Sequence, residues 1–186
     1  MAWSAPKTFV VGDVLTASDM NTYVSDNTDF LNTPPSARVY NNADIEIANE
    51  TTTALTFNTE RWDNNTIHST SSNTGRLTCR TAGLYYIYGH VSFASSTDTI
   101  SSTDTDTRAR SCAIRLNGTT SLASVGTSPI ASGTLQTSYS VSTTYSLAVD
   151  NYLELVVYQN SGGALDIVYG ANYSPEFGMT YLGTVS

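Results

Sequence analysis

Two histidines, His68 and His90, are the side chains in this 186-residue chain whose ordinary titration range best suits acid–base chemistry near neutral pH. A histidine serves nucleophilic catalysis when a serine or cysteine lies beside it and a third group orients it, and those partners need not be close in sequence. Neither histidine has a recognisable local setting of that kind. His90 falls in the alternating run Leu84–Ala94, and His68 stands before a Ser/Thr/Asn-rich stretch. There is no Gly-x-Ser-x-Gly elbow, no phosphate-cradling loop and no His-Glu-x-x-His pair. A glycosidase needs two carboxylates placed across a sugar, and no local pattern among the 16 Asp and Glu singles out such a pair. The expectation is therefore a protein that is not an enzyme, with no catalytic residue. A carbohydrate-active enzyme built on a β-sandwich is the alternative from that class. Asp98, Asp104 and Asp106 could offer oxygen ligands to Ca²⁺, but the glycine and terminal glutamate of an EF-hand loop are missing, so the stretch reads as a solvated loop and no cofactor is expected. Cys79 and Cys112 read as two buried small hydrophobes; their spacing does not decide for or against a disulfide.

The formal net charge is −8, with 8 Lys and Arg against 16 Asp and Glu, which argues against a nucleic-acid partner because phosphate binding needs a basic face. No run approaches the roughly 20 apolar residues that span a bilayer, so no membrane insertion is expected. Met1 to Lys7 lacks the apolar core of a secretory signal. Four Asn-x-Ser/Thr matches, at Asn49, Asn64, Asn117 and Asn172, read as chance in a chain this rich in Asn, Ser and Thr.

Residues 1–33 differ from the rest. Thr16 with Asp19 three positions on forms a helix-start signature. Met20, Val24, Asn27 and Leu31 follow at spacings of four, three and four, with Tyr23 and Phe30 beside them, which predicts a helix over about 17–31 with one apolar stripe. Asn27 interrupts the stripe, and a polar residue on such a seam can fix register in a small bundle. Pro34-Pro35 stops the helix and makes 34–36 a hinge. From Ala37 onward short alternating runs predict strands over Ala37–Tyr40, Ile45–Ile47, Thr53–Phe57, Arg76–Arg80, Leu84–Ala94, Ser111–Leu116, Leu135–Leu147, Tyr152–Gln159 and Phe177–Leu182. Asn117-Gly118 is a hairpin turn signal. The expected fold is all-β: a jelly-roll sandwich over 37–186 behind a short extended and helical segment.

Several ordered stretches resemble the C1q/TNF family. Thr53–Phe57 followed by Trp62-Asp63-Asn64 is similar to its early strand. Thr74-Gly75-Arg76-Leu77-Thr78-Cys79 resembles its threonine-glycine-x-phenylalanine-threonine-cysteine step, and Ala82-Gly83-Leu84-Tyr85-Tyr86-Ile87 its proline-glycine-valine-tyrosine-tyrosine-phenylalanine step. Ile114-Arg115-Leu116-Asn117-Gly118, Val149–Leu155 and Phe177–Leu182 resemble the later strands and the closing strand. Ala82 stands where the family usually has proline, Asn151 breaks its Gly-Asp pair, and no collagen-like stalk precedes the head. The resemblance implies a homotrimeric head in which a sheet edge and an aromatic face pack on neighbours around a threefold axis. Tyr85, Tyr86, Tyr88, Phe93 and Tyr181 are the trimer-interface candidates it suggests.

A second resemblance covers Gly12–Asn21 and Asn27–Leu31, which look like a segment recurrent at the N-termini of bacteriophage tail and head-fibre proteins, where it attaches a fibre to the particle. It implies a virion surface protein, made in a host cytoplasm, that docks on capsid or tail proteins through Leu15, Met20, Tyr23, Val24, Phe30 and Leu31. Host-surface glycans or proteins are the implied partners of the exposed loops Ser95–Thr107, Thr127–Gly133 and Asn160–Ala164. A receptor-binding C1q/TNF-like ligand is the alternative.

Overall fold

A computed structural model of the chain describes residues 3–95, 109–127 and 136–184. Asp98, Asp104 and Asp106 lie outside the described residues, as do most of the loops Ser95–Thr107 and Thr127–Gly133.

The helical run begins where the sequence predicts. Thr16 is the N-cap: its Oγ1 accepts the Asp19 backbone N–H, while the Asp19 carboxylate accepts the Thr16 backbone N–H, a reciprocal capping box. Helix α1 (Ala17–Met20), a π-helical turn (Asn21–Ser25) and α2 (Asp26–Asn32) follow without interruption. Before α1, Gly12 at φ +99 turns the chain back, and residues 3–9 return along the helix. Asn27 holds this arm: its Oδ1 accepts the Ser4 N–H at 3.0 Å and its Nδ2 donates to the Ser4 carbonyl at 2.9 Å. Asn27 is thus committed to its own chain's arm rather than to a bundle seam.

Among the described residues the strands are β1 (Ser36–Tyr40), β2 (Ile45–Ile47), β3 (Thr53–Ala54), β4 (Thr59–Asp63), β5 (Arg76–Thr78), β6 (Gly83–Phe93), β7 (Arg110–Leu116), β8 (Thr120–Thr127), β9 (Thr137–Leu147), β10 (Tyr152–Gln159), β11 (Leu165–Ile167) and β12 (Glu176–Gly183). They form two antiparallel sheets. In the first, β6 is central: β9 pairs its whole length on one side, and β12 and then β11 pair the other. The sheet continues from β12 to β1 to β4, and from β11 to β2. The second sheet runs β3-β10-β7-β8, with β5 also on β10. This is a jelly-roll sandwich. Strands β4, β8 and β11 were not expected from the sequence; the Asn117-Gly118 turn was, and both residues take the left-handed φ values (51 and 75) that a tight β7–β8 hairpin requires.

The core lies between the sheets. Side chains of β6 alternate by pleat, so Tyr85, Ile87, Val91 and Phe93 point inward against Ile114, Leu153, Leu155 and Phe177. Each such buried apolar side chain contributes roughly 1.5–3 kcal/mol relative to exposure. At Gly89 the space between the sheets is filled by Leu155: an added Cβ would stand 2.5 Å from its Cδ1.

Pleat parity corrects part of the interface expectation. Tyr85 and Phe93 are fully buried in the sandwich, and Tyr181 packs edge-on against Tyr85 at 5.4 Å. These three belong to the core, because odd-numbered residues of β6 and β12 share its inward face. Tyr86 and Tyr88 alone of the five face outward.

The docking-face expectation is also corrected. Phe30 is 4 % exposed and packs edge-on against Tyr181 at 5.3 Å, so it fastens the helix to the head instead of facing a partner. Leu15, Met20, Val24 and Leu31 are exposed, and Tyr23 is half-buried. The proline pair does not behave as a free hinge either. The Pro35 carbonyl accepts the Tyr181 N–H, and the Asn64 side chain bonds both the Pro34 carbonyl and the Ser36 N–H.

Candidate functional site

The outward face of the first sheet gathers a group of polar and aromatic side chains. From β6 come Tyr86, Tyr88 and His90; from β9, Ser140 and Ser142; from β12, Glu176; from β1, Arg38. Tyr86 and Tyr88, two residues apart on one face, stack with ring centroids 5.6 Å apart. Tyr88 lies over Gly178, its cross-strand partner on β12, and the absent Cβ is what leaves room for the ring. His90 meets Ser140 Oγ through Nδ1 at 2.8 Å and Tyr173 edge-on at 5.8 Å. Together with Arg38 and Glu176 these groups line a cleft of about 400 Å³.

Glu176 is nearly buried, and an unpaired carboxylate there would be costly. Two guanidinium groups meet it. Arg38 donates to Oε2 through Nε at 2.6 Å and through Nη2, and Arg61 donates to Oε1 through Nε at 2.5 Å. Each arginine also lies over an aromatic ring: Arg38 over Trp62 at 5.8 Å, Arg61 over Tyr40 at 4.4 Å. The result is a ladder across β4, β1 and β12, Tyr40–Arg61–Glu176–Arg38–Trp62. The second sheet repeats the device on its own outward face, where Glu154 accepts from Arg115 at 3.0 Å and from Arg76 at 3.4 Å, and Arg76 covers Tyr152.

Burial lowers the pKa of His90, opposed by the nearby Glu176 carboxylate, so the ring is held toward its neutral form. Burial raises Tyr88. A Ser–His contact invites comparison with a catalytic pair, but both oxygens of Glu176 are taken by arginines, so this carboxylate does not orient His90 as a triad acid does. His68 is buried elsewhere, between Glu60 Oε1 (2.9 Å) and the Thr74 carbonyl (3.1 Å), with no nucleophile among these partners. Among the described residues no three His, Cys, Asp or Glu side chains group as a metal site would need, and no helix is long and apolar enough to cross a membrane.

The second notable surface is the N-terminal hairpin. Its bend, Phe9 to Leu15, exposes Phe9, Val10, Val11, Val14 and Leu15 around Gly12-Asp13. Lys7 Nζ donates to Asp19 at 2.8 Å, closing the hairpin behind the bend. That contact first, and the Thr16 hydrogen bonds second, pull the Asp19 carboxyl down to about 2. Of the loops expected to carry recognition, Asn160–Ala164 is described. Its start is pinned by Gln159, whose Oε1 accepts from Ser161, and the Gly162 N–H bonds Asn49.

The aromatic strand was legible in the sequence. The arginine–glutamate ladder was not, because its partners stand 138 and 115 residues apart. No local pattern announces such a pairing; the nearest hint is that β1 and β4 each carry an arginine within two residues of an aromatic one.

No protein-family model matches the chain, and no curated protein sequence does. Its fold is shared with solved structures of low sequence identity. The globular domain of zebrafish complement 1qA protein superposes with a TM-score of 0.54 at 16% identity, covering 81% of this chain and 99% of that one. Eiger TNF from S. frugiperda gives 0.55 at 14% identity, covering 82% and 96%. Murine APRIL gives 0.56 at 11% identity, covering 80% and 98%. The chain therefore has a C1q/TNF-like jelly-roll fold.

Proposed function

We propose that this chain is a non-enzymatic binding head that works as a homotrimer and is carried on a larger particle by its N-terminal hairpin. The observation that carries the reading is the open face of the first sheet. Tyr86 is 42 % exposed there beside Tyr88, His90 and the Glu176 ladder, and the long strand β9 pairs with β6 alone among the described strands. An aromatic face with a charge-paired, nearly buried carboxylate suits the desolvated centre of an interface better than a solvated surface. The fold likeness supports the same use of the sheet. Threefold display would then multiply the affinity of weak loop contacts for a host-surface glycan or protein.

The particle we favour is a bacteriophage virion, on the resemblance of Gly12–Asn21 and Asn27–Leu31 to fibre-attachment segments and on the exposed apolar bend, Phe9 to Leu15, that overlaps the start of this segment. A second reading, a C1q/TNF-like ligand that binds a receptor, is favoured by the fold likeness to Eiger TNF and APRIL. An antibody against the chain separates the two. Label on purified particles supports the first; label confined to the soluble fraction supports the second.

A further inference from the structure

The cleft on the outward face of the first sheet runs along β6 from Tyr86 to His90 and ends against the turn between β11 and β12. Its two ends differ. At one, Thr180 and Tyr181 of β12 pair with Tyr86 and Tyr85, and Tyr181 carries the Phe30 contact that fastens the helix. At the other, Glu176 pairs with His90, about 13 Å further along β6 at roughly 3.3 Å per residue. This second end is the one remote from the attachment of the N-terminal hairpin. We propose that it is a saccharide-binding site, in which Tyr173 stacks on a neutral pyranose while Asn172, Ser142 and His90 bond its hydroxyls; the proposal rests on the binding-head reading above and gives that head a ligand class.

Three observations select a sugar. First, Tyr173 is a fixed platform. Its ring rests over Gly170, where an added Cβ would stand 2.5 Å from it, and the His90 ring meets it at 73°. The turn beneath is tied down. The Gly170 N–H donates to the Ser174 carbonyl at 2.7 Å, the Tyr173 N–H to the Gly170 carbonyl at 3.1 Å, and Arg61 Nη2 to the Ala171 carbonyl at 2.8 Å. Ser174 Oγ accepts the Ser92 N–H and donates to the Val168 carbonyl, both at 2.9 Å. Tyr173 is nevertheless 49 % exposed. A ring already held in place loses little freedom on binding, and its electron-rich face attracts the C–H groups on one side of a pyranose.

Second, the lining suits hydroxyls, which both donate and accept. The Asn172 amide and the Ser142 hydroxyl line the cleft with no side-chain partner among the described residues. Ser140 takes His90 Nδ1, which leaves Nε2 of a ring held toward its neutral form. Third, no charge is left over to select an acidic ligand. Both guanidinium groups are held by Glu176, both of its oxygens are taken, and the chain as a whole carries −8. The cleft of about 400 Å³ falls among small-molecule sites, which span roughly 300–1,000 Å³. A trimer centred on the stacked Tyr86 and Tyr88 leaves the Tyr173 corner at its rim, so one sheet face serves both uses.

The test is saturation-transfer NMR on the full chain with the methyl pyranosides of glucose, galactose, mannose and N-acetylglucosamine, each at about 20 mM, beside sedimentation of the same samples. At least one should bind with a Kd of about 1–10 mM. Tyr173→Ala should weaken it about tenfold or more, Tyr173→Phe should keep it, and Asn172→Ala should weaken it several-fold. Tyr145→Ala, which removes an exposed tyrosine outside the cleft, should change nothing. Sedimentation should be the same for Tyr173→Ala as for the wild type. No binding of any of the four sugars, or equal binding by Tyr173→Ala, overturns the site and leaves the trimer reading standing. Weaker self-association of Tyr173→Ala would put the ring inside the interface and also overturns the site. A wild-type monomer that binds sugar through Tyr173 overturns the trimer reading and upholds the site.

Discussion

The ring of Tyr88 lies over the backbone of Gly178, its partner across β6 and β12, where an added Cβ would stand 2.4 Å from the ring carbon Cζ. The contact keeps Tyr88 flat beside Tyr86 on the open sheet face, and it exists only because residue 178 has no side chain. Gly178→Ala forces the ring to swing away. The far end of a surface tyrosine moves at modest cost, so the monomer should lose no more than about 1–3 kcal/mol. Self-association, which needs the ordered face, should fall further. Chemical denaturation and sedimentation on the same variant separate the two effects.

Glu176→Gln tests the ladder. It keeps the shape of the side chain but removes the charge that two arginines share. Because the carboxylate is nearly buried and the arginines are partly exposed, the loss should lie near the lower end of the range for breaking a buried pair, about 3 kcal/mol. Urea unfolding measures it. A change below about 0.5 kcal/mol would mean that solvent screens the ladder as it does an ordinary surface pair.

How much of this was legible beforehand depended on range. Strand β6 announces itself because Tyr85, Ile87, Val91 and Phe93 alternate with Leu84, Tyr86, Tyr88 and His90, and the capping box announces itself because Thr16 and Asp19 are three apart. Strand β4 hides because it carries charged Glu60, Arg61 and Asp63 around Trp62, and an edge strand tolerates such a mixture. Strand β8 hides because Leu122 and Val125, its larger apolar residues, stand three apart instead of two, among small and polar neighbours. Tyr181 and Phe30 look like interface aromatics in isolation; only the packing of helix on sheet shows that they face each other.

Phe30→Ala should release the hairpin and helix from the head. Amide exchange in residues 3–33 should accelerate strongly while exchange in β6 and β10 stays slow, because Phe30 contacts the rim of the sandwich at Tyr181. Equal acceleration in both regions would show that the segment and the head unfold as one unit.

Acid should loosen the hairpin in a defined window. Asp19 has an ordinary value of 3.8 and is held at about 2 in the fold. Its contribution is complete above about pH 4 and fades as the pH falls toward 2, since only the ionised carboxylate accepts from Lys7 and Thr16. Carbon-detected NMR of the Asp19 carboxyl, followed with the Lys7 and Thr16 shifts, should show this transition. Asp19→Asn should remove it.

Burial raises both thiols, pushing Cys112 up to about 12. The native protein should therefore resist a thiol reagent at pH 8, and both cysteines should react once it is denatured. Rapid labelling of the folded protein would place at least one cysteine at the surface.

The most direct test of the trimeric head is sedimentation equilibrium of the full chain at micromolar concentration. The expected mass is about three times the 19.9 kDa of one chain, falling toward one chain mass on dilution of Gly178→Ala. A wild-type protein that stays at a single chain mass throughout the micromolar range contradicts the account.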